Sequence, residues 1–370
     1  MRISSALKSP VTFGKNRKKI DGAHLLLSSF EPDVPRKSFL GPPRQLTRYG
    51  LVETASKTDI NLDALCAMRR FVQPKPSVNV AQLGALWRPY FSRRSHLPEM
   101  LDACFRSQDG VQALLRADVV AERDVITQLM LPHKASFNAS FVHGVLFLEE
   151  GPKGPEFDYG ARERKMGFLR VCTEMYADKW PASPGRSNRT LHSVVGRQLG
   201  GLNLLMSGSV DCVKLEYNGQ PDCYMQFVTR PMYNGQYTIR PKVWKNWYLR
   251  AHLMGIPWLY LGLIDEVGIL RQTRQLVTGL LPKAAGNAWD PADNIHWAFR
   301  VLTALRDYCQ EAADVCEVVT PSRAHRGLWR VEIVPSVDGE IRVLVRELPE
   351  RLAPSAPVIR NFEAALERVH

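Results

Sequence analysis

The chain has 370 residues, 45% of them hydrophobic, enough to bury a sizeable core and, by length alone, to form two or three domains. Its 49 basic against 37 acidic residues leave a formal charge of +12 and a pI near 9.5, a balance that suits a polyanion such as nucleic acid. Seven cysteines with no C-x-x-C pair and no signal peptide argue against a disulfide framework or zinc ribbon and for a reducing compartment, and the longest apolar run, 255–264, is too short to cross a bilayer.

In chain order, residues 1–37 read as a flexible basic arm carrying Lys15-Asn16-Arg17-Lys18-Lys19, which suits a nuclear localisation patch, a phosphate-binding arm, a presequence or a plain basic tail. Residues 38–348 are expected to form one domain and 349–370 a Pro-rich, weakly helical tail. Between 60 and 95, Arg69, Arg70, Lys75, Arg88, Arg93 and Arg94 alternate with Trp87, Tyr90 and Phe91. Such interleaving suits base stacking and phosphate contacts, as well as the edge strands of any basic protein. An amphipathic helix is predicted over 97–119, interrupted near Asp109-Gly110, with Leu97, Leu101, Phe105, Val111, Leu114 and Leu115 as core candidates. Phe141 to Glu149 reads as a strand with His143 packed inside it. A charged loop over 151–165 ends in Arg162, Arg164 and Lys165, and a helix is expected from Met166 to Ala177.

The stretch 204–229 predicts a hairpin, with Ser209 to Tyr217 and Cys223 to Thr229 joined across Asn218-Gly219, a dipeptide that accepts the positive φ of a tight turn. Residues two apart on a strand share a face, which groups Ser209 with Asp211 and Gln226 with Val228. A basic, aromatic segment follows, with Arg240, Lys242, Lys245 and Arg250 among Tyr233, Tyr237, Trp244, Trp247 and Tyr248. A second hairpin is expected over 259–264 and 268–270. A helix opens with Asp290 as N-cap and Pro291 at its first position, and a terminal hairpin spans 329–335 and 340–346 around Asp338-Gly339.

The frame Ser209-Val210-Asp211-Cys212, a loop, then Cys223-Tyr224-Met225-Gln226-Phe227-Val228-Thr229 resembles the metal-binding hairpin of the DXO decapping and exoribonuclease family. In that family it looks like Glu-Val-Asp-Cys followed by Cys-Tyr-hydrophobic-Glu-Leu-Lys-Thr. Phe39-Leu40-Gly41-Pro42-Pro43, the segment 120–129 with Arg123, Gly167 to Val171, and Lys245 to Pro257 resemble further family motifs in the right order. The resemblance implies a mixed α/β (α+β) fold, central mixed β-sheets flanked by helices.

It also implies where the family's metals would sit. Magnesium or manganese takes several oxygen ligands, and phosphodiester cleavage needs ions that activate water and stabilise the leaving oxygen. Three of the four aligned acidic positions are occupied by Val171, Ser209 and Gln226. Val228 replaces the lysine, Arg250 replaces a glutamine, and Asp211 alone remains as a metal candidate. Arg250 either holds a phosphate in place of metal charge or pairs with Asp211.

No resident cofactor is therefore expected, Mg2+ or Mn2+ being required only if the centre is active. The reading is a catalytically inactive homologue that binds RNA 5′ ends through Arg123, Arg240, Lys242, Lys245 and Arg250, or protein partners. The resemblance to degenerate members of the family in germline piRNA biology implies a nuclear factor in a heterochromatin-bound or Xrn-type exonuclease-related complex, with no membrane attachment. The competing reading is an active metal-dependent decapping hydrolase or 5′-to-3′ exoribonuclease rescued by Glu174, Glu216 or Asp222.

Overall fold

Apolar runs in this chain become strands covered on both faces. In 202–210 every residue except Asn203 and Ser209 is buried, and in 258–264 only Trp258 is not, the pattern expected of central strands. The computed structural model describes residues 23–26, 39–53, 58–61, 67–75, 77–85, 95–131, 134–151, 159–175, 188–214, 216–319, 327–335, 341–348 and 362.

The strands are β1 (Ala23–Leu26), β2 (Arg44–Glu53), β3 (Thr58–Asn61), β4 (Arg69–Phe71), β5 (Val119–Glu122), β6 (Ala135–Val142), β7 (Val145–Glu150), β8 (Thr173–Met175), β9 (Asn188–Leu199), β10 (Leu202–Val210), β11 (Cys212–Val213), β12 (Tyr224–Pro231), β13 (Trp258–Ile264), β14 (Leu270–Val277), β15 (Gly327–Pro335) and β16 (Ile341–Glu347). The helices are α1 (Val80–Ala85), α2 (Leu97–Phe105), α3 (Gln108–Leu115), α4 (Arg123–Met130), α5 (Tyr159–Cys172), α6 (Pro241–Met254), α7 (Leu281–Ala284) and α8 (Pro291–Val319).

They build two mixed sheets. The larger has the order β1-β16-β15-β6-β7-β5-β10-β9-β2-β3, with β5 parallel to both β7 and β10. The smaller has the order β14-β13-β12-β11-β4-β8, with β12 parallel to β13 and β11 parallel to β4. The expected mixed α/β class, sheets flanked by helices, is what is found.

Alternation along single strands shows how the layers stack. On β5, Val119 and Ala121 join one core cluster while Val120 joins a second. On β12, Tyr224 and Val228 join that first cluster while Met225 and Phe227 join a third. The first cluster therefore lies between the sheets and includes Ile126 of α4, Leu249 of α6 and Val301 of α8. The second packs α2 and α3 against the large sheet, and Phe362 closes it through Phe105 and Phe147 at ring separations of 5.9 and 5.2 Å. The third packs α1 and α5 against the small sheet.

Several expectations are corrected. The 204–229 hairpin is split: β10 belongs to the large sheet, and only Cys212 and Val213 pair with β12, at Met225 and Tyr224. The turn chemistry holds, with Gly219 at φ 84° and the Gln220 N–H donating to Asn218 Oδ1 at 2.9 Å. Phe141 to Glu149 is itself a hairpin of β6 and β7. His143 and Gly144 sit at its tip with φ of 49° and 78°, so His143 is exposed rather than packed in a strand.

The 166–177 helix begins earlier and ends at Cys172, where β8 starts. The 97–119 helix breaks at Arg106-Ser107, where Ser107 Oγ caps α3 by accepting the Gly110 N–H, and Leu115 is exposed. Within the arm expected to be flexible, β1 pairs with β16 along Ala23 to Leu26. A hairpin follows 259–264 as expected, although its second strand is β14, Leu270–Val277, rather than 268–270; the Asp290 cap on the Ala292 N–H at 2.9 Å and the pairing of β15 with β16 are as expected. Lys15 to Lys19, Trp87 to Arg94 and the Asp338-Gly339 turn lie outside the described residues. No helix among the described residues is long and apolar enough to cross a membrane.

Candidate functional site

β10 ends at Val210 in the large sheet and β11 begins at Cys212 in the small one, so here one residue, Asp211, carries the chain from sheet to sheet. A cavity of about 910 Å³ opens at this seam. Its walls are the end of β10, the middle of β12, the junction of β5 with α4, and one face each of α5 and α6. Helical spacing selects those faces: α5 presents Ala161, Arg162, Lys165, Met166 and Leu169, and α6 presents Lys242, Val243, Asn246, Trp247 and Arg250. Seven lysines and arginines line the cavity against four carboxyl groups, a formal surplus of at least three positive charges.

Asp211 is largely enclosed, 11% of its side chain being exposed, and its Oδ2 is already engaged twice. It accepts the Phe227 backbone N–H at 2.7 Å and faces Lys165 Nζ at 3.1 Å. Next to it, Arg123 is 2% exposed. Its Nη1 donates to the Ser209 carbonyl at 3.0 Å, its Nη2 to Ser209 Oγ at 3.4 Å, and its Nε to Asp124 Oδ1 at 2.9 Å. Arg250 Nη2 reaches the same Asp124 oxygen at 3.1 Å, so the pairing of Arg250 with Asp211 entertained from sequence is replaced by one with Asp124. Gln226 lines the cavity at 4% exposure, and its Oε1 is buried with no hydrogen-bond partner among the described residues.

Other sequence-derived candidates fall elsewhere. Val228 borders the cavity from the inter-sheet core. Val171 is turned into the third core cluster, and Leu169 is the neighbour that faces the cavity instead. Of the five basic residues singled out, Arg123, Lys242 and Arg250 line the cavity. Arg240 is an exposed N-cap residue, and Lys245 Nζ lies 5.9 Å from the Trp289 ring centre, burial lowering its pKa. Glu174 pairs with Arg70, both about half exposed, and Asp222 accepts from Asn218 Nδ2 at 2.8 Å. Glu174, Glu216 and Asp222 do not line the cavity.

Sequence reasoning missed three features. Lys165 was visible only as the end of a loop, although a helix starting at Tyr159 puts it in phase with Arg162 and Leu169. Asp124 stood beside Arg123 as an acidic first-turn residue of a helix. Deeper still is a polar floor of Glu122, His192 and Tyr49. Burial, reinforced by the nearby Glu150 carboxylate, pushes Glu122 up to about 8, while its Oε1 accepts from Ser95 Oγ at 3.3 Å and from the His96 N–H. His192 stacks on Tyr49 at 5.2 Å, and burial drives its pKa well below the usual histidine value.

A pair of divalent cations does not fit this donor set. Asp211 is held by an ammonium, Asp124 by two guanidinium groups and Ser209 by Arg123. Gln226 offers one neutral oxygen, and no three His, Cys, Asp or Glu side chains converge among the described residues. An ammonium about 4 Å from a divalent ion opposes it by about 8 kcal/mol at an effective dielectric of about 20. Hard cations require several anionic or carbonyl oxygens to offset their dehydration. The surplus of lysine and arginine side chains around the cavity is instead suited to an anion.

Comparison with known structures finds the same fold in Rai1 proteins of three yeasts. Scheffersomyces stipitis Rai1 is 16% identical, with 95% of this chain and 99% of that one covered at a TM-score of 0.72. Candida albicans Rai1 in complex with pU5-Mn2+ is 15% identical, covering 89% and 93% at 0.65. A mutant of Schizosaccharomyces pombe Rai1, with three glutamates replaced by one serine and two glutamines and in complex with 3′-FADP, is 16% identical, covering 84% and 94% at 0.63. No curated protein matches by sequence. The family model described as RAI1-like PD-(D/E)XK nuclease matches residues 42–350. With that match spanning most of its length, and both sheets arranged around the seam at Asp211, the chain belongs to the RAI1-like PD-(D/E)XK nuclease family.

Proposed function

We propose that this protein holds RNA 5′ ends in the seam cavity without cleaving them. The observation that carries the reading is that the carboxylates nearest the seam are neutralised from within, Asp211 by Lys165 and Asp124 by Arg123 and Arg250. Ser209 and Gln226 add no negative charge. What remains is a basic cavity that attracts phosphate and offers little to a metal ion.

Two relatives support a nucleic-acid ligand. C. albicans Rai1 is in complex with pU5-Mn2+, and the S. pombe triple mutant retains 3′-FADP although three glutamates are serine or glutamine. Loss of acidic side chains in this fold is therefore compatible with holding a nucleotide. Ser209 and Gln226 give this chain side chains of the same two types.

At the cellular level the reading extends to a Cutoff-like role: a nuclear factor that shields piRNA-precursor transcripts from decapping, termination or splicing. It would work within a heterochromatin-bound or Xrn-type exonuclease-related complex. The support is the family resemblance together with the basic cluster Lys15 to Lys19. Imaging of the tagged protein with that cluster replaced by alanines tests the nuclear assignment.

The biochemical reading is tested with purified protein and short RNAs bearing a 5′ phosphate, a 5′ triphosphate or a cap, with Mg2+ or Mn2+ present. Salt-sensitive binding with no release of cap or nucleotides is the expected result. Metal-dependent release that Asp211→Ala abolishes would replace this reading with the active decapping hydrolase.

A further inference from the structure

Lys165 stands on the cavity face of α5, in helical phase with Arg162 and Leu169. Its side chain is 33% exposed and its Nζ is 3.1 Å from Asp211 Oδ2. An ammonium carries three N–H donors in a roughly tetrahedral array, so one directed at Asp211 leaves two for other acceptors. In the same cavity the buried Oε1 of Gln226 has no partner among the described residues. Asp211, Gln226 and the Ser209 hydroxyl are the cavity oxygens contributed by the β10–β12 seam, and Lys165 pairs with the only carboxylate among them; of the other cavity carboxyl groups, Asp124 is paired with Arg123 and Arg250.

We propose that Lys165 is a resident cation, standing on Asp211 where a divalent ion would otherwise bind, and that the cavity takes the phosphate of a nucleic-acid end with no metal. The phosphate limb rests on the functional reading above; the metal-exclusion limb does not. A tethered monovalent cation can neutralise a phosphate oxygen through hydrogen bonds, but it has no bound water to ionise and so activates no nucleophile. Replacing Lys165 by a neutral side chain removes the ammonium from Asp211 Oδ2 in a cavity that Gln226 and Ser209 also line, leaving a weak oxygen site for a divalent ion. Arginine at 165 keeps the charge and so keeps the ion out.

Mn2+ uptake, followed by the electron paramagnetic resonance signal of the free ion, tests the first limb on the full chain. Wild type and Lys165→Arg are expected to take up no more than Asp211→Asn. Lys165→Gln is expected to take up about one ion, lost again in the double variant with Asp211→Asn. One equivalent bound by wild type and abolished by Asp211→Asn overturns the proposal, as does a folded Lys165→Gln that binds none. The second limb is read with a 5′-phosphorylated oligoribonucleotide: wild-type affinity should agree to within about twofold in EDTA and in Mn2+, and Lys165→Gln should lose about tenfold in EDTA. Wild-type affinity that falls with EDTA overturns the metal-free mode. No RNA binding under either condition overturns that mode and the functional reading, while Mn2+ uptake still decides the role of Lys165.

Discussion

Arg250 and Asp124 tie two helices together across the mouth of the cavity: Nη2 on α6 stands 3.1 Å from Oδ1 on α4. The same oxygen also takes Arg123 Nε at 2.9 Å, so one carboxylate serves two guanidinium groups. A site charged in this way is a mechanical joint as well as an electrostatic one, and its members differ in what their loss should do.

Arg123 is the buried member. Arg123→Met leaves the Ser209 carbonyl without its donor and Asp124 with one partner fewer, at a cost of about 3 kcal/mol in unfolding free energy. Ser209→Ala removes only the 3.4 Å side-chain contact and keeps the carbonyl bond, so its cost is expected to stay within about 0.5 kcal/mol. Urea denaturation of the two variants side by side checks the contrast.

RNA binding should separate the cavity cations from the other basic residues of the same segment. Charge reversal at Lys242 and Arg250 together is expected to weaken binding of a 5′-phosphorylated RNA more than about tenfold and to lower the salt slope by about two. Reversal at Arg240 and Lys245, which lie off the cavity, should change affinity by less than about threefold. Fluorescence anisotropy over a salt series reads both quantities.

Stability should fall as pH rises through the range set by Glu122. The folded protein keeps that proton up to about 8, whereas the unfolded chain releases it near 4.5, so the native state carries the extra proton between those values. Unfolding free energy therefore declines from about pH 4.5 and levels off above about pH 8, with a limiting slope of about 1.4 kcal/mol per pH unit for this group. Glu122→Gln keeps an acceptor for Ser95 and the His96 N–H while removing the titration. The variant should be the more stable protein near pH 8 by roughly 1–3 kcal/mol and should lose that advantage near pH 4. Denaturant melts at the two pH values decide it.

Two packing positions outside the cavity should matter as well. A methyl at Gly167 would overlap the Val80 carbonyl where α1 crosses α5, so Gly167→Ala is expected to cost about 2–4 kcal/mol and to shift the helix that carries Lys165. Phe362→Ala removes the ring seated between Phe105 and Phe147 and should cost about 3 kcal/mol. Thermal unfolding of each variant tests these values.

Much of this fold was legible because local chemistry agreed with the tertiary result. Asp290-Pro291 announced a helix start, and Asp265-Glu266 announced a turn after the apolar strand 259–264, although the strand that follows, Leu270–Val277, is largely polar and its extent was not legible. The 204–229 stretch misled because its apolar pattern is continuous while its partners change at Asp211, and periodicity carries no information about which sheet a strand joins. His143-Gly144 was hidden inside an apolar run because histidine is not a usual turn signal.

At the site, Ser209, Asp211, Gln226 and Arg123, grouped by their motifs, all line one cavity, whereas Val171, grouped with them, packs into the third core cluster. Lys165 was overlooked because a helix start hidden in a charged loop obscured its phase. The pairing of Arg250 with Asp124 brings together residues 126 positions apart, and no local pattern encodes that contact.

The passage of the backbone between sheets at a single residue has an evolutionary consequence. The hollow is shaped by where the two strand layers part company, and their registers are fixed by main-chain pairing rather than by the side chains that project into the gap. Substitutions there can therefore change the chemistry of the hollow while the vessel keeps its form.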